Sequence, residues 1–97
     1  MGRRFHQFCH KKDDNQKAIE EHLGAFGYQV LDLSRVGSGV PDLLVSNRKE
    51  MWLIEVKASS KKKLTPAQVE FQIDWNGKPI DRIDSVEACQ EWIIAHA

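Results

Sequence analysis

The chain has 97 residues, 41% of them hydrophobic and 29% charged, with equal numbers of acidic and basic side chains. A chain this short buries about 60–65% of its unfolded surface around one modest core. No apolar run approaches the roughly 18 residues that a membrane span needs, no apolar segment follows Met1-Gly-Arg-Arg4 as it would in a secretory signal, and Cys9 and Cys89 fit no metal or redox spacing, so a cytoplasmic setting is expected.

The neutral total hides an asymmetry: residues 1–63 carry twelve Lys and Arg against eight Asp and Glu, whereas residues 64–97 carry two against six. One face can therefore be basic enough to meet phosphates without a high isoelectric point.

Residues 1–12 lack periodicity and read as a basic arm, leaving 13–97 as a single domain. Asp13 and Gln16 are spaced as a capping box, Ile19, Leu23 and Phe26 form an apolar stripe, and Gly27 stops the helix. Gln16 and Glu20 border that stripe, so Glu20 either looks along the sheet toward a site or is a solvated flank residue. Tyr28 to Ser34 reads as a first strand. Arg35 to Val40 is turn-rich, and Arg35, Ser38 and Gly39 are candidates for contact with a phosphate backbone, although a plain turn also explains the glycines.

Pro41 opens a second strand, Leu43–Val45, and Asp42 stands at its start. After a polar connection over Ser46–Glu50 comes a third strand, Met51–Lys57. Side chains alternate along a strand, so Glu55 and Lys57 share one face while Trp52, Ile54 and Val56 take the core face. Antiparallel pairing of the two strands brings Asp42 beside Glu55 and Lys57. Lys61, Lys62 and Lys63 follow in a basic loop.

Thr65, Pro66 and Gln68 make a strong helix start, with Gln68 as capping-box partner. This helix is expected to run to about Asn76 and to bury Val69, Ile73, Phe71 and Trp75 before Gly77 ends it. Lys78 to Ile83 is expected as a strand at a sheet edge because it contains a proline. Asp84 or Ser85 caps a last helix with Val86, Cys89, Trp92, Ile93 and His96 on one stripe.

Two neighbouring carboxylates repel unless a cation sits between them. Mg²⁺ takes one or two carboxylates and completes its shell with water and phosphate oxygens. Asp42, Glu55 and the carbonyl of Val56 suit Mg²⁺ or Mn²⁺, and Lys57 suits charge developing on phosphorus. Glu-x-Lys alone is more often an ordinary surface pair; the combination points to metal-assisted phosphodiester hydrolysis.

The stretches Gly39-Val-Pro-Asp-Leu-Leu-Val45, Leu53-Ile-Glu-Val-Lys57 and Leu64-Thr-Pro-Ala-Gln68, with Asp13-Asp-Asn-Gln16 and Ala25-Phe-Gly27 upstream, resemble the VRR-NUC (virus-type replication-repair nuclease) family of the PD-(D/E)XK nuclease superfamily. The resemblance covers residues 13–93. It implies an α/β fold with a restriction-endonuclease-like core, in the order α-β-β-β-α-β plus a C-terminal helix, whose mixed central sheet is flanked by helices. It also implies Asp42 and Glu55 as metal ligands, Lys57 as catalytic lysine, Gln68 as a helix residue reaching the site, and one of Asp13, Gln16 or Glu20 as an auxiliary group. Small stand-alone members resemble homodimers acting on branched or structured DNA, many of them from bacteria or phages. The competing expectations are a non-cleaving nucleic-acid-binding module on the same fold and cleavage of RNA or junctions.

Overall fold

The computed structural model describes residues 14–57 and 63–97. The expected basic arm, Asp13, Lys61 and Lys62 lie outside the described residues. The elements are α1 (Asp14–Ala25), β1 (Gln29–Asp32), β2 (Leu43–Ser46), β3 (Met51–Val56), α2 (Pro66–Asp74), β4 (Asp81–Ile83) and α3 (Val86–His96). No described helix is long and apolar enough to cross a membrane.

The four strands lie in the order β1-β2-β3-β4. β1, β2 and β3 run antiparallel in sequence, with Asp32 opposite Leu43 and Leu43 opposite Ile54. β4 pairs parallel with β3, placing Glu55 opposite Arg82. A parallel partner requires a crossover rather than a tight turn, and α2 lies within it. The β2–β3 turn is set locally: the Asn47 side-chain oxygen accepts from the N–H groups of Lys49 and Glu50 at 3.0 and 2.9 Å.

Strand alternation sorts the sheet into two faces. Leu43, Val45, Trp52, Ile54 and Val56 are buried against Ile19 and Leu23 of α1 and Cys89, Trp92 and Ile93 of α3. Tyr28, Trp52 and Trp92 meet edge-on in this core, with ring centroids 5.1 to 6.2 Å apart. Burying a Leu, Ile or Val in this way stabilises the fold by roughly 1.5–3 kcal/mol each.

Helix ends follow local chemistry. Gly27, at φ +90°, lets Tyr28 N–H donate to the Leu23 carbonyl and its own N–H to that of Gly24, which closes α1. Ser85 caps α3, its hydroxyl accepting from Ala88 N–H at 3.0 Å.

Three expectations are corrected. Phe26 is 52% exposed, because it lies beyond the last turn of α1 where the chain has already turned away. On α2 no side chain is buried: Val69 is 43% exposed and Ile73 is 76% exposed. Gln68, Phe71 and Gln72 form the half-buried face of that helix, and at 100° per residue Val69 and Ile73 fall on its far side. α2 also stops at Asp74, since Trp75 is already extended at φ −73°, ψ 120°.

Candidate active site

The site lies on the sheet face opposite the core, at the end where β2 begins and β3 finishes. Leu43 faces Ile54, so continuing the register by one sets Asp42 opposite Glu55, and by two sets Pro41 opposite Val56. Asp42 is held in place by a backbone bond, its Oδ2 accepting from Val56 N–H at 2.9 Å. Glu55 is only 2% exposed. Burial, and then the adjacent Asp42 carboxyl, push Glu55 from its ordinary 4.5 to about 8, against an opposing pull from Lys57.

α2 closes the constellation through one side chain. Gln68 Nε2 donates to Glu55 Oε2 at 3.0 Å, and Gln68 Oε1 accepts from Lys57 Nζ at 2.9 Å. The same Oε1 accepts from Thr65 N–H at 2.8 Å while Thr65 Oγ1 accepts from Gln68 N–H at 3.2 Å. Gln68 is therefore both the capping-box partner and a member of the site. Lys57 Nζ lies 3.7 Å from Glu55 Oε2, and both side chains are largely withdrawn from solvent.

The arrangement suits a hard cation. Burial first, and then the neighbouring Asp42 carboxyl, disfavour the Glu55 anion, and a cation held by both groups would offset that cost. Pro41 has no N–H to offer the Val56 carbonyl across the strand pair. Two carboxyl groups and a carbonyl form an all-oxygen donor set of the kind Mg²⁺ and Mn²⁺ accept, with the remaining positions left to water and substrate. No cluster of three or more His, Cys, Asp or Glu is found among the described residues, so a cation here would rest on the two carboxyl groups and backbone.

Asp42, Glu55, Val56, Lys57 and Gln68 thus come together. Glu20 takes a different position: its Oε2 accepts from Gln16 Nε2 at 2.9 Å, and the same Gln16 amide donates to Asp32 Oδ1 at 3.1 Å. α1 packs on the core face with Ile19 and Leu23, and these bonds lead Glu20 toward the end of β1. Arg35, Ser38 and Lys63 are exposed. In the direction a side chain would take, Gly39 is backed by protein, since a Cβ there would lie 2.1 Å from the Ala67 carbonyl oxygen.

Two residues escaped the sequence reading. Asn15 Nδ2 donates to the carbonyls of Lys57 and Asp84, at 3.3 and 3.0 Å, and so ties α1 to the end of β3. Asp32 gathers Gln16, Ser34 N–H and the Ser34 hydroxyl on one carboxylate oxygen. A carboxylate at a strand end was the available signal for Asp32; nothing local marks Asn15.

A four-stranded mixed sheet with helices on its flanks, carrying an Asp at the start of one strand and Glu-x-Lys at the end of the next, defines a nuclease-type α/β domain with a restriction-endonuclease-like core. A solved structure of a VRR_NUC domain matches with a TM-score of 0.72 and 31% sequence identity, covering 84% of this chain and 92% of that one. The chain belongs to the VRR-NUC family. No family model and no curated protein matches it.

Proposed function

We propose that this protein is a Mg²⁺- or Mn²⁺-dependent endodeoxyribonuclease that hydrolyses phosphodiester bonds in branched or structured DNA as a homodimer, in the cytoplasm of a bacterial or phage-infected cell. The observation that carries the reading is the meeting of Asp42, Glu55, Lys57 and Gln68 at one end of the sheet. Asp42, Glu55 and the Val56 carbonyl would hold the cation, which would supply Lewis-acid chemistry at the phosphodiester and a more acidic water. Lys57 supplies a compact positive charge next to the reacting phosphate. Gln68 fixes that ammonium and the Glu55 carboxyl relative to each other, so two charged side chains enter the reaction already oriented. Arg35, Ser38 and Gly39, with Lys61, Lys62 and Lys63, serve the DNA backbone, where contacts position the substrate without reading its sequence. Residues 13–97 act as the nuclease domain.

The test is cleavage of a matched panel of duplex, single strand, flap, four-way junction and RNA with Mg²⁺, Mn²⁺ or EDTA, comparing the wild type with Glu55→Gln. Metal-dependent cutting that the variant loses supports the nuclease, and the best-cut member names the substrate. No cutting under any metal, with junction binding kept, would replace it by a non-cleaving binding module.

A further inference from the structure

α2 enters the candidate active site through Gln68, and a neighbouring stripe of the same helix opens onto a recess beside it. Ala67, Glu70, Phe71 and Asp74 recur at i, i+3, i+4 and i+7, and with Trp75 and Ser38 they line a space of about 210 Å³. Phe71 and Trp75 present nearly parallel rings, 16° apart with centroids at 5.6 Å. Neither ring belongs to the core. Trp75 is 43% exposed, yet its indole is fixed: Nε1 donates to the Lys78 carbonyl at 3.0 Å, and Gly77 packs so close that a Cβ there would lie 2.8 Å from the ring. An exposed aromatic surface already held in one place loses little freedom when another ring stacks on it.

We infer that this recess holds a single unpaired nucleobase of the DNA, one that carries an exocyclic amino group. The inference rests on the proposed function and adds a base contact to it. Size limits the occupant. Pockets for whole small molecules run from about 300 to 1,000 Å³, so this one takes a single planar ring system rather than a complete nucleotide. Charge decides which part of the nucleotide enters. Glu70 and Asp74 bring two carboxylates to the recess and no Lys or Arg lines it, so a phosphate is repelled while a base amino group finds acceptors. Cytosine offers N4 and adenine N6 as that donor, where thymine presents its O4 acceptor.

Position links the recess to the site. A Cβ on Gly39 would lie 2.1 Å from the Ala67 carbonyl oxygen, so the loop that carries Ser38 seats directly on the first turn of α2. Ala67 lines the recess, and the next residue, Gln68, bonds Glu55 and Lys57. A base seated here belongs to a nucleotide close to the phosphate that meets Lys57. Extrusion of a base costs least where it is already unpaired, so the recess favours an interrupted helix over a continuous duplex.

The test is fluorescence anisotropy of the full chain, with EDTA to withhold the cation, on duplexes bearing one unpaired position that is cytosine, thymine or abasic. The wild type should bind the cytosine form about five- to tenfold more tightly than the thymine form, and the abasic form most weakly. Trp75→Ala should lower affinity for the cytosine form at least about fivefold and leave the abasic form unchanged, while Trp75→Phe, which keeps a stacking ring, should retain most of the affinity. Glu70→Ala combined with Asp74→Ala, both at exposed positions, should raise affinity for every form alike through the lost negative charge and bring the cytosine-to-thymine ratio to about one. Equal wild-type affinity for the three forms, a Trp75→Ala loss as large on the abasic form, or a double variant that keeps the cytosine preference would overturn the base site. Binding is read apart from cutting, so metal-dependent cleavage with equal affinities refutes only the base site, and base-dependent binding without cleavage under any metal refutes only the nuclease.

Discussion

Gly39→Ala is the sharpest test of how the fold holds the site. Gly39 has φ +81°, a conformation in which an L side chain costs roughly 1–2 kcal/mol. An alanine Cβ would also lie 2.1 Å from the Ala67 carbonyl oxygen and 2.5 Å from its carbon. Relief to an ordinary contact of about 3.5 Å needs roughly 1.4 Å of movement between the loop and the first turn of α2. Ala67 precedes Gln68, so that movement is felt at the bonds of 3.0 and 2.9 Å to Glu55 and Lys57, which would pass beyond hydrogen-bonding range. Misplacement on this scale costs on the order of 100-fold in turnover. Gly37→Ala is the matched control: Gly37 has φ +77°, but nothing lies within 4 Å of its added Cβ. Both variants carry the backbone strain, and only Gly39→Ala carries the collision. Thermal melts and turnover at saturating substrate should separate them by about 1–2 kcal/mol, roughly 5–10 °C in Tm, and by that hundredfold rate. Equal stability and equal turnover would refute the close approach of the loop to α2.

Further outcomes follow from the site and its basic loop. Glu55 holds its proton to about pH 8 in the metal-free chain, so its contribution to stability is complete below about pH 4.5, declines as pH rises and is gone above pH 8; denaturant titrations should show this decline in the wild type and lose it in Glu55→Gln. A cation must displace that proton, so calorimetric affinity for Mn²⁺ should rise with pH up to about 8, and a pH-independent affinity would remove Glu55 from the ligand set. Gln68→Ala deletes the capping-box acceptor and the link between Glu55 and Lys57 together, so it should cost about 1 kcal/mol of stability and a much larger share of cleavage; an unchanged rate would leave Gln68 as a cap alone. Changing Lys61, Lys62 and Lys63 together to Ala should weaken DNA binding and flatten its salt dependence by about 0.9 in log–log slope for each phosphate that is no longer neutralised, and an unchanged slope would take the loop off the DNA surface.

Much of the fold is a matter of short-range pattern. The order of helices and strands, the stop at Gly27, the start at Thr65 and Pro66, and the hairpin between Leu43 and Val56 all depend on neighbours a few residues apart. The meeting of Asp42 with Glu55 and Lys57 has the same origin, because a hairpin register and a period of two determine which side chains share a face. Spacing reads Gln68 as a cap and the family resemblance implies its reach toward the candidate site; one amide takes part in both sets of bonds.

Other features depend on what stands across from a residue once the chain has closed. Asn15 reaches Lys57 and Asp84, residues 42 and 69 positions away, and no local pattern encodes those carbonyls. Gly39 reads as an open turn in the sequence, and only the tertiary fold sets Ala67 against its α-carbon. Val69 and Ile73 show the division most plainly. The chain by itself determines that they share a stripe of a helix, since spacing alone places them there. Whether the stripe is covered is decided by the surface opposite, and the single chain turns the Gln68 side of α2 to the sheet, where hydrogen bonds to Glu55 and Lys57 hold it, and leaves the apolar side facing water.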